Sequence, residues 1–231
     1  MKKLILPGVS FTVPSREIDL MVAGGRAPEA SWLAGLDFYE KLWAVDRGAD
    51  ICIASGIHVD SLIGDCDSAK KENWCRLEEE GVEIFRFPSE KDMTDFQLAL
   101  EIFSEKKEEG RELFISGAFG GRFDHLWSLF ISAVSDKGAR PLCMADDREG
   151  ILFLEGKAEA EFDFDKIPGA FSLISFSESC SGVCADGVKW KLENSELDFN
   201  NPYAISNEVV SSEVKVSLEK GLLGVYWVWR V

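Results

Sequence analysis

Val59-Asp60-Ser61-Leu62-Ile63-Gly64-Asp65-Cys66-Asp67-Ser68 decides how the chain is read. Val59 to Ile63 is a short apolar run of the length of a buried strand, and Gly64 permits a sharp exit from it. Asp65 and Asp67 stand at alternate positions, which in an extended segment turns both carboxylates the same way. A hard cation such as Mg²⁺ takes oxygen ligands of that kind and shares them with substrate phosphates. Gly and Asp are also common in solvated turns, so this stretch acquires meaning from its neighbours.

Outward from it, strands and helices alternate. Ile18 to Ala23 reads as a strand ending in Gly24-Gly25, Pro28 opens a helix through Ser31 to Leu42, and Leu42 to Val45 is a second strand ending at Asp46. Downstream, Ser68 is placed to cap a charged helix to about Glu80, closed by Gly81. Val82 to Phe87 alternates like a strand and stops at Pro88. Thr94 and Gln97 have the spacing of a capping box, and Leu98, Ile102 and Phe103 give the helix behind them an apolar face. Leu113 to Ser116 is the next strand, followed by Gly117-Ala118-Phe119-Gly120-Gly121. A helix from Asp124 to Lys137, stopped by Gly138, and a strand over Pro141 to Ala145 complete the series. This alternation predicts an α/β, Rossmann-like domain over 1–147, its sheet mostly parallel with helices on both faces.

From residue 148 the pattern changes. Runs over Ile151–Leu154, Phe162–Phe164, Phe171–Phe176, Val183–Trp190, Glu213–Leu218 and Leu222–Val231 predict a smaller all-β sandwich or barrel domain over 148–231. Glu219-Lys220-Gly221 has the composition of a hairpin turn into the aromatic strand Tyr226-Trp227-Val228-Trp229.

Bulk properties narrow the partners. The chain has 231 residues, 46% hydrophobic and 29% charged, as ordinary globular proteins have. A formal net charge of −16 opposes a broad grip on a phosphate backbone and argues against nucleic acid. A small phosphorylated ligand remains compatible, because a metal ion and a few local cations override the global field. The six cysteines show no disulfide spacing, Lys2-Lys3-Leu4-Ile5-Leu6-Pro7 is too short a core for a secretory signal, and no apolar run reaches membrane length. The expectation is a cytoplasmic, reducing setting and no membrane contact.

In an open α/β sheet, ligands bind beyond the carboxyl ends of the strands. Asp46, then Asp65 and Asp67, then Lys91, Asp92, Thr94 and Asp95, then Arg122, Asp124 and His125 all fall at such ends. Carboxylates without a His/Cys cluster suit Mg²⁺ rather than zinc. Helix N-termini near Thr94 and Asp124 offer amides and a positive dipole to phosphate oxygens, Gly120-Gly121 lets a ligand approach the backbone, and Arg122 can fork onto phosphate. No Gly-x-x-x-x-Gly-Lys-Ser/Thr loop is present.

Gly64-Asp65-Cys66-Asp67-Ser68, Lys91-Asp92-Met93-Thr94-Asp95 and Gly120-Gly121-Arg122-Phe123-Asp124-His125 resemble, in order and approximate spacing, the signature set of the thiamine pyrophosphokinase family. Gly187-Val188-Lys189-Trp190-Lys191-Leu192 and Ser206-Asn207-Glu208 resemble its C-terminal motifs. Two departures stand out: the family's usual Asp-Gly-Gly is here Asp46-Arg47-Gly48, and its usual aromatic between the paired aspartates is Cys66.

The resemblance implies a homodimer that moves the terminal diphosphate of ATP, the co-substrate, to the hydroxyl of thiamine, giving thiamine diphosphate and AMP. It implies Mg²⁺ on Asp65, Asp67 and Asp95, with Asp92 as a further ligand. Lys91 and Arg122 would hold phosphates, and Asp46, Asp92, Thr94, Asp124 and His125 would complete the nucleotide site. Asp65, Asp67, Asp95 and Arg122 form the expected catalytic set. Trp190, Ser206 and Asn207 would bind thiamine. Two alternatives share the same loops: a diphosphokinase for another hydroxymethyl heterocycle such as a pterin, and a sensor that binds without turnover.

Overall fold

The computed structural model describes residues 1–65 and 69–229, and it divides into two compact units, Arg16–Asp147 on the one hand and Met1–Ser15 with Arg148–Val231 on the other. The chain opens with a hairpin, β1 (Lys2–Leu6) and β2 (Val9–Val13), whose register pairs Leu6 with Val9 around Pro7-Gly8. β3 (Ile18–Val22) then starts the α/β unit, followed by α1 (Ala30–Ala34), β4 (Leu42–Val45), α2 (Gly48–Ala54), β5 (Ser61–Gly64) and α3 (Lys71–Glu79). β6 (Glu83–Arg86), α4 (Asp95–Lys106), β7 (Glu112–Ser116), α5 (Phe123–Ser135) and β8 (Pro141–Ala145) complete it.

Within this unit the strands run in the order β8-β7-β3-β4-β5-β6, every neighbouring pair parallel. β3, β4 and β5 are buried along their whole length, as a parallel sheet covered on both faces requires. The exceptions to their apolar content are Ser61 on β5 and Asp19 on β3, the latter 1% exposed. Its two oxygens accept from Trp43 Nε1 at 3.1 Å and Arg111 NH1 at 2.9 Å, so the charge is buried with partners.

α4 begins as its sequence dictates: Gln97 N donates to Thr94 Oγ1 at 3.2 Å while Thr94 N donates to Gln97 Oε1 at 3.0 Å. Other helices differ from expectation. α1 lasts five residues because Gly35 closes it, and residues 36–41 continue without helix. α2 is a helix that periodicity does not announce, since Gly48-Ala49-Asp50-Ile51-Cys52-Ile53-Ala54 is rich in weak helix formers. It forms through packing: a Cβ on Gly48 would lie 1.9 Å from the Val22 carbonyl oxygen, so glycine lets the helix start directly against β3. The expected cap Ser68 lies outside the described residues.

The second unit contains β9 (Glu149–Glu155), β10 (Ala158–Phe164), β11 (Ala170–Ser175), β12 (Ser179–Asp186), β13 (Leu192–Asp198), β14 (Glu213–Leu218) and β15 (Leu222–Val228). One antiparallel set runs β1-β2-β10-β14-β12-β13 and another runs β11-β15-β9. Residues 1–15 therefore belong here and not with the α/β unit, because β2 completes the edge of β10 through the pair Phe11 and Phe162. Glu219-Lys220-Gly221 is not a hairpin turn. β14 and β15 lie in different sets, and Lys220 bridges Ser181 as the chain passes between them. β12 ends at Asp186, short of Trp190, and the polar edge strand β13 follows it.

The core of this unit is aromatic. The ring of Trp227, on β15, lies 5.7 Å from that of Phe11 on β2 and 6.0 Å from that of Phe162 on β10. Phe171, on β11, meets Phe162 edge-on at 5.9 Å. Rings from both strand sets thus interlock. Among the described residues, no helix is long and apolar enough to cross a membrane.

Trp227, 1% exposed, is the ring that both sets share. Trp227→Ala is expected to lower unfolding free energy by about 3–5 kcal/mol, measured from denaturant midpoints at constant m. A loss under about 1 kcal/mol would remove the interlocked rings as the source of stability.

Candidate active site

In the α/β unit, successive strands are added on one side of β3 as far as β6, and then on the other side as β7 and β8. The strand order reverses between β3 and β7, the position at which open α/β sheets hold ligands beyond the strand ends. Three backbone bonds tie the exits of β3 and β7 together: Ala23 N to Ser116 O at 2.8 Å, Gly25 N to Gly117 O at 2.7 Å and Arg26 N to Phe119 O at 2.7 Å. A cleft of about 1150 Å³ lies over these ends, with Asp46, Asp65, Lys91, Asp95, Gly121 and Arg122 in its wall.

Asp46 leaves β4, Asp65 leaves β5 and Asp95 opens α4, and each places a carboxylate oxygen within 4.8 Å of the other two. Asp46 sits in the left-handed region at φ 49°, and its amide donates to Ile63 O at 2.9 Å, which fixes it to the neighbouring strand. Gly64 makes the approach possible: a Cβ there would lie 2.2 Å from Asp46 Oδ1. Burial first, and then the charges of Asp95 and Asp65, push the Asp46 carboxyl up to about 7. Its Oδ1 is buried and has no hydrogen-bond partner among the described residues. Lys91 enters the cluster from the side, its Nζ 3.1 Å from Asp95 Oδ1 and 3.5 Å from Asp65 Oδ2.

An all-oxygen donor set with a buried, unsatisfied carboxylate oxygen fits a hard divalent cation. Asp67 lies outside the described residues. Asp92 is exposed and stands apart from this cluster and from the cleft wall.

Arg122 and Asp124 stand at the cleft side of α5, joined by a fork of 2.5 Å and 3.1 Å, and His125 N donates to the Asp124 carboxylate. The fork holds the Asp124 carboxyl below its usual range. α5 starts at Phe123 with Arg122 as its cap, so Asp124 lies in the first turn and does not begin the helix. Thr94 lines the cleft too, although its hydroxyl serves the capping box.

Arg26 is a site residue that the sequence reading passes over; its position just after Gly24-Gly25 at a strand end was the available signal. It grips buried Asp146 at 2.6 Å and 2.9 Å. Arg47 also lines the cleft and donates to Gly25 O at 2.8 Å, which ties the β4 exit to the β3 exit.

In the other unit, Trp190 and Asn207 are clamped together: Trp190 N donates to Asn207 Oδ1 at 3.1 Å and Asn207 Nδ2 donates to Trp190 O at 2.8 Å. The Trp190 ring is 55% exposed, with Lys189 Nζ 4.7 Å from its centroid. Ser206 adopts φ 56°, and its amide donates to Ser172 Oγ at 3.0 Å. The three residues expected to bind thiamine thus lie on two adjoining segments.

Residues 36–142 match the family model described as thiamin pyrophosphokinase, catalytic domain, and residues 159–223 that of its vitamin B1 binding domain. The chain is 31% identical to thiamine pyrophosphokinase of Bacillus subtilis over 206 residues, 88% of this chain and 94% of that one. The chain belongs to the thiamine pyrophosphokinase family. The crystal structure of thiamine pyrophosphokinase from B. subtilis superposes with a TM-score of 0.78 at 25% identity, covering 93% of this chain and 100% of that one. That of the yeast thiamin pyrophosphokinase gives 0.69, covering 94% and 88%; at 15% identity it shows the shared fold alone. The α/β fold, with its mixture of parallel and antiparallel strands, is therefore that of thiamine pyrophosphokinases.

Gly64→Ala is expected to drive Asp46 out of the cluster and weaken binding of Mn²⁺ about 10–100-fold, as loss of ligand-orienting groups does. Titration of the Mn²⁺ resonance signal reads this directly. Unchanged affinity would show that Asp46 has no part in cation binding.

Proposed function

We propose that the chain transfers the diphosphate of ATP to the hydroxyl of thiamine, giving thiamine diphosphate and AMP. The observation that carries this reading is the Asp46, Asp65 and Asp95 trio around Lys91, at the carboxyl ends of the parallel strands of a chain in the thiamine pyrophosphokinase family. We read the parallel unit as a Rossmann-like nucleotide domain. The antiparallel unit we read as a sandwich that binds thiamine, which the match to the vitamin B1 binding domain supports.

Asp46, Asp65 and Asp95, joined by Asp67, would hold Mg²⁺. The ion would neutralise polyphosphate charge and orient the transferring group. Arg122, Arg26 and Arg47, which line the cleft, would take the remaining phosphate oxygens, and Gly121 leaves open space for a ligand to approach the backbone. Asp124 keeps Arg122 extended at the mouth of the cleft. The thiamine oxygen attacks the β-phosphorus, the bond from that phosphorus to the α,β-bridging oxygen breaks, and AMP leaves. A carboxylate of the cluster accepts the hydroxyl proton. Trp190 offers its exposed face to the cationic ring of thiamine, with its backbone locked by Asn207.

The same reading carries a homodimer in a reducing cytoplasm. The cysteines among the described residues are all free, which suits that setting.

Purified protein given ATP, Mg²⁺ and thiamine should release AMP and thiamine diphosphate in equal amounts; ADP as the sole nucleotide product would sink the proposal. Asp95→Asn should lower kcat about 10²-fold through lost positioning of the phosphates, and near-normal turnover would take Asp95 out of the site. Trp190→Ala should raise the KM for thiamine roughly 30-fold, the equivalent of a desolvated cation–π contact of about 2 kcal/mol, and leave the KM for ATP in place. A rise in the ATP constant alone would reassign Trp190.

A further inference from the structure

Lys91 lines the cleft, but its Nζ is engaged with acidic groups of the protein itself. It lies 3.1 Å from Asp95 Oδ1, 3.5 Å from Asp65 Oδ2 and 3.0 Å from the Pro88 carbonyl oxygen, with its side chain 14% exposed. The lysine head group is thus held by two carboxylates and a carbonyl oxygen, all acceptors of its protons. The oxygens it touches are two of the three carboxylates of the cluster. A divalent ion ligated by Asp65 and Asp95 would draw on the same two carboxylates, and two cations so close together repel strongly at low effective dielectric.

Lys91 is free to leave without unfolding a helix. It stands between the end of β6 and the capping box of α4, in a segment with no helix or strand, and it lines the cleft. We infer that Lys91 is an internal counter-ion of the carboxylate cluster that yields its place to a divalent ion only when nucleotide phosphates can receive the ammonium, so that metal and nucleotide bind as a coupled pair. This rests on the metal–nucleotide reading of the cleft. Linkage makes the coupling reciprocal: each ligand strengthens the other by the same factor, typically about 5–150-fold.

The test is binding, not turnover. Mn²⁺ affinity is measured by the resonance signal of the free ion, with and without α,β-methylene ATP, for the wild type, Lys91→Met, Lys91→Gln and Lys91→Arg. The neutral variants are expected to bind Mn²⁺ alone at least about tenfold tighter than the wild type, and nucleotide should enhance their metal affinity correspondingly less. Lys91→Arg keeps the charge and should keep weak binding of Mn²⁺ alone. Equal or weaker binding by both neutral variants, with the wild type still binding Mn²⁺ beside the analogue, overturns the role of Lys91 and leaves the functional reading intact. Absence of Mn²⁺ binding to the wild type even with the analogue overturns both. If the neutral variants unfold through carboxylate repulsion, Mn²⁺ alone must restore their circular dichroism; failure to do so also overturns the inference.

Discussion

Repulsion among closely placed carboxylates is the constraint around which the α/β unit is arranged. Neighbouring strands lie about 4.8 Å apart, and β4 and β5 are neighbours in a register that sets Val45 beside Ile63. The residues that follow them are therefore brought to one strand spacing from each other. Asp46 faces Gly64 across that spacing, and Asp65 follows directly. Only a residue without a Cβ at 64 lets the Asp46 carboxylate stay there. Asp95 joins from a helix whose first turn is locked by Thr94 and Gln97. Three acids that would separate in solution are thus held together by backbone register and a cap, with Lys91 as the nearby opposite charge.

The two ends of the same sheet treat charge differently. At the amino end, Asp19 is satisfied by Trp43 and Arg111, and Arg111 also reaches Glu17 and Glu108. That network sets a buried acid against a buried cation and ties Asp19 on β3 to Trp43 on β4, although Arg111 Nε finds no hydrogen-bond partner among the described residues. At the carboxyl end, Asp46 keeps a buried oxygen without a partner among the described residues, and burial with the charges of Asp95 and Asp65 raises its proton affinity. An unsatisfied acceptor oxygen among three carboxylates has capacity for a cation, which the unsatisfied donor Arg111 Nε at the amino end does not. Arginines at the same end are kept in place by oxygens of the protein: Arg26 by Asp146, Arg47 by Gly25 and Arg122 by Asp124. Pre-positioned side chains of this kind lose little entropy when a ligand arrives.

The antiparallel unit works by a separate principle. Its interior is a set of rings interlocked between strand sets, which needs no buried charge. That frees polar side chains to shape its surface, where Asn207 uses both ends of its amide to hold the backbone of Trp190. The ring is left exposed on a rigid support, as suits a stacking surface.

Much of this was determined by the sequence alone. Apolar runs such as Ile18 to Val22 and Leu42 to Val45 are strands because they are buried on both faces, and Thr94 to Gln97 caps a helix because its bonds are local. That Asp46, Asp65 and Asp95 come close together was legible because a parallel sheet gathers its strand ends on one edge. Tertiary structure alone decided what depends on distant partners. Residues 1–15 join the second unit because β10 has an edge to offer β2, and α2 exists because Gly48 can rest on the Val22 carbonyl. Glu219-Lys220-Gly221 carries the chain from one strand set to another, although its composition reads as a turn. Asp92 stands outside the cluster while Arg26 enters the cleft wall. Composition and spacing record what a residue does with its near neighbours. Which carboxylate meets which across the sheet is set by strand order and register, which arise only once the whole chain has packed.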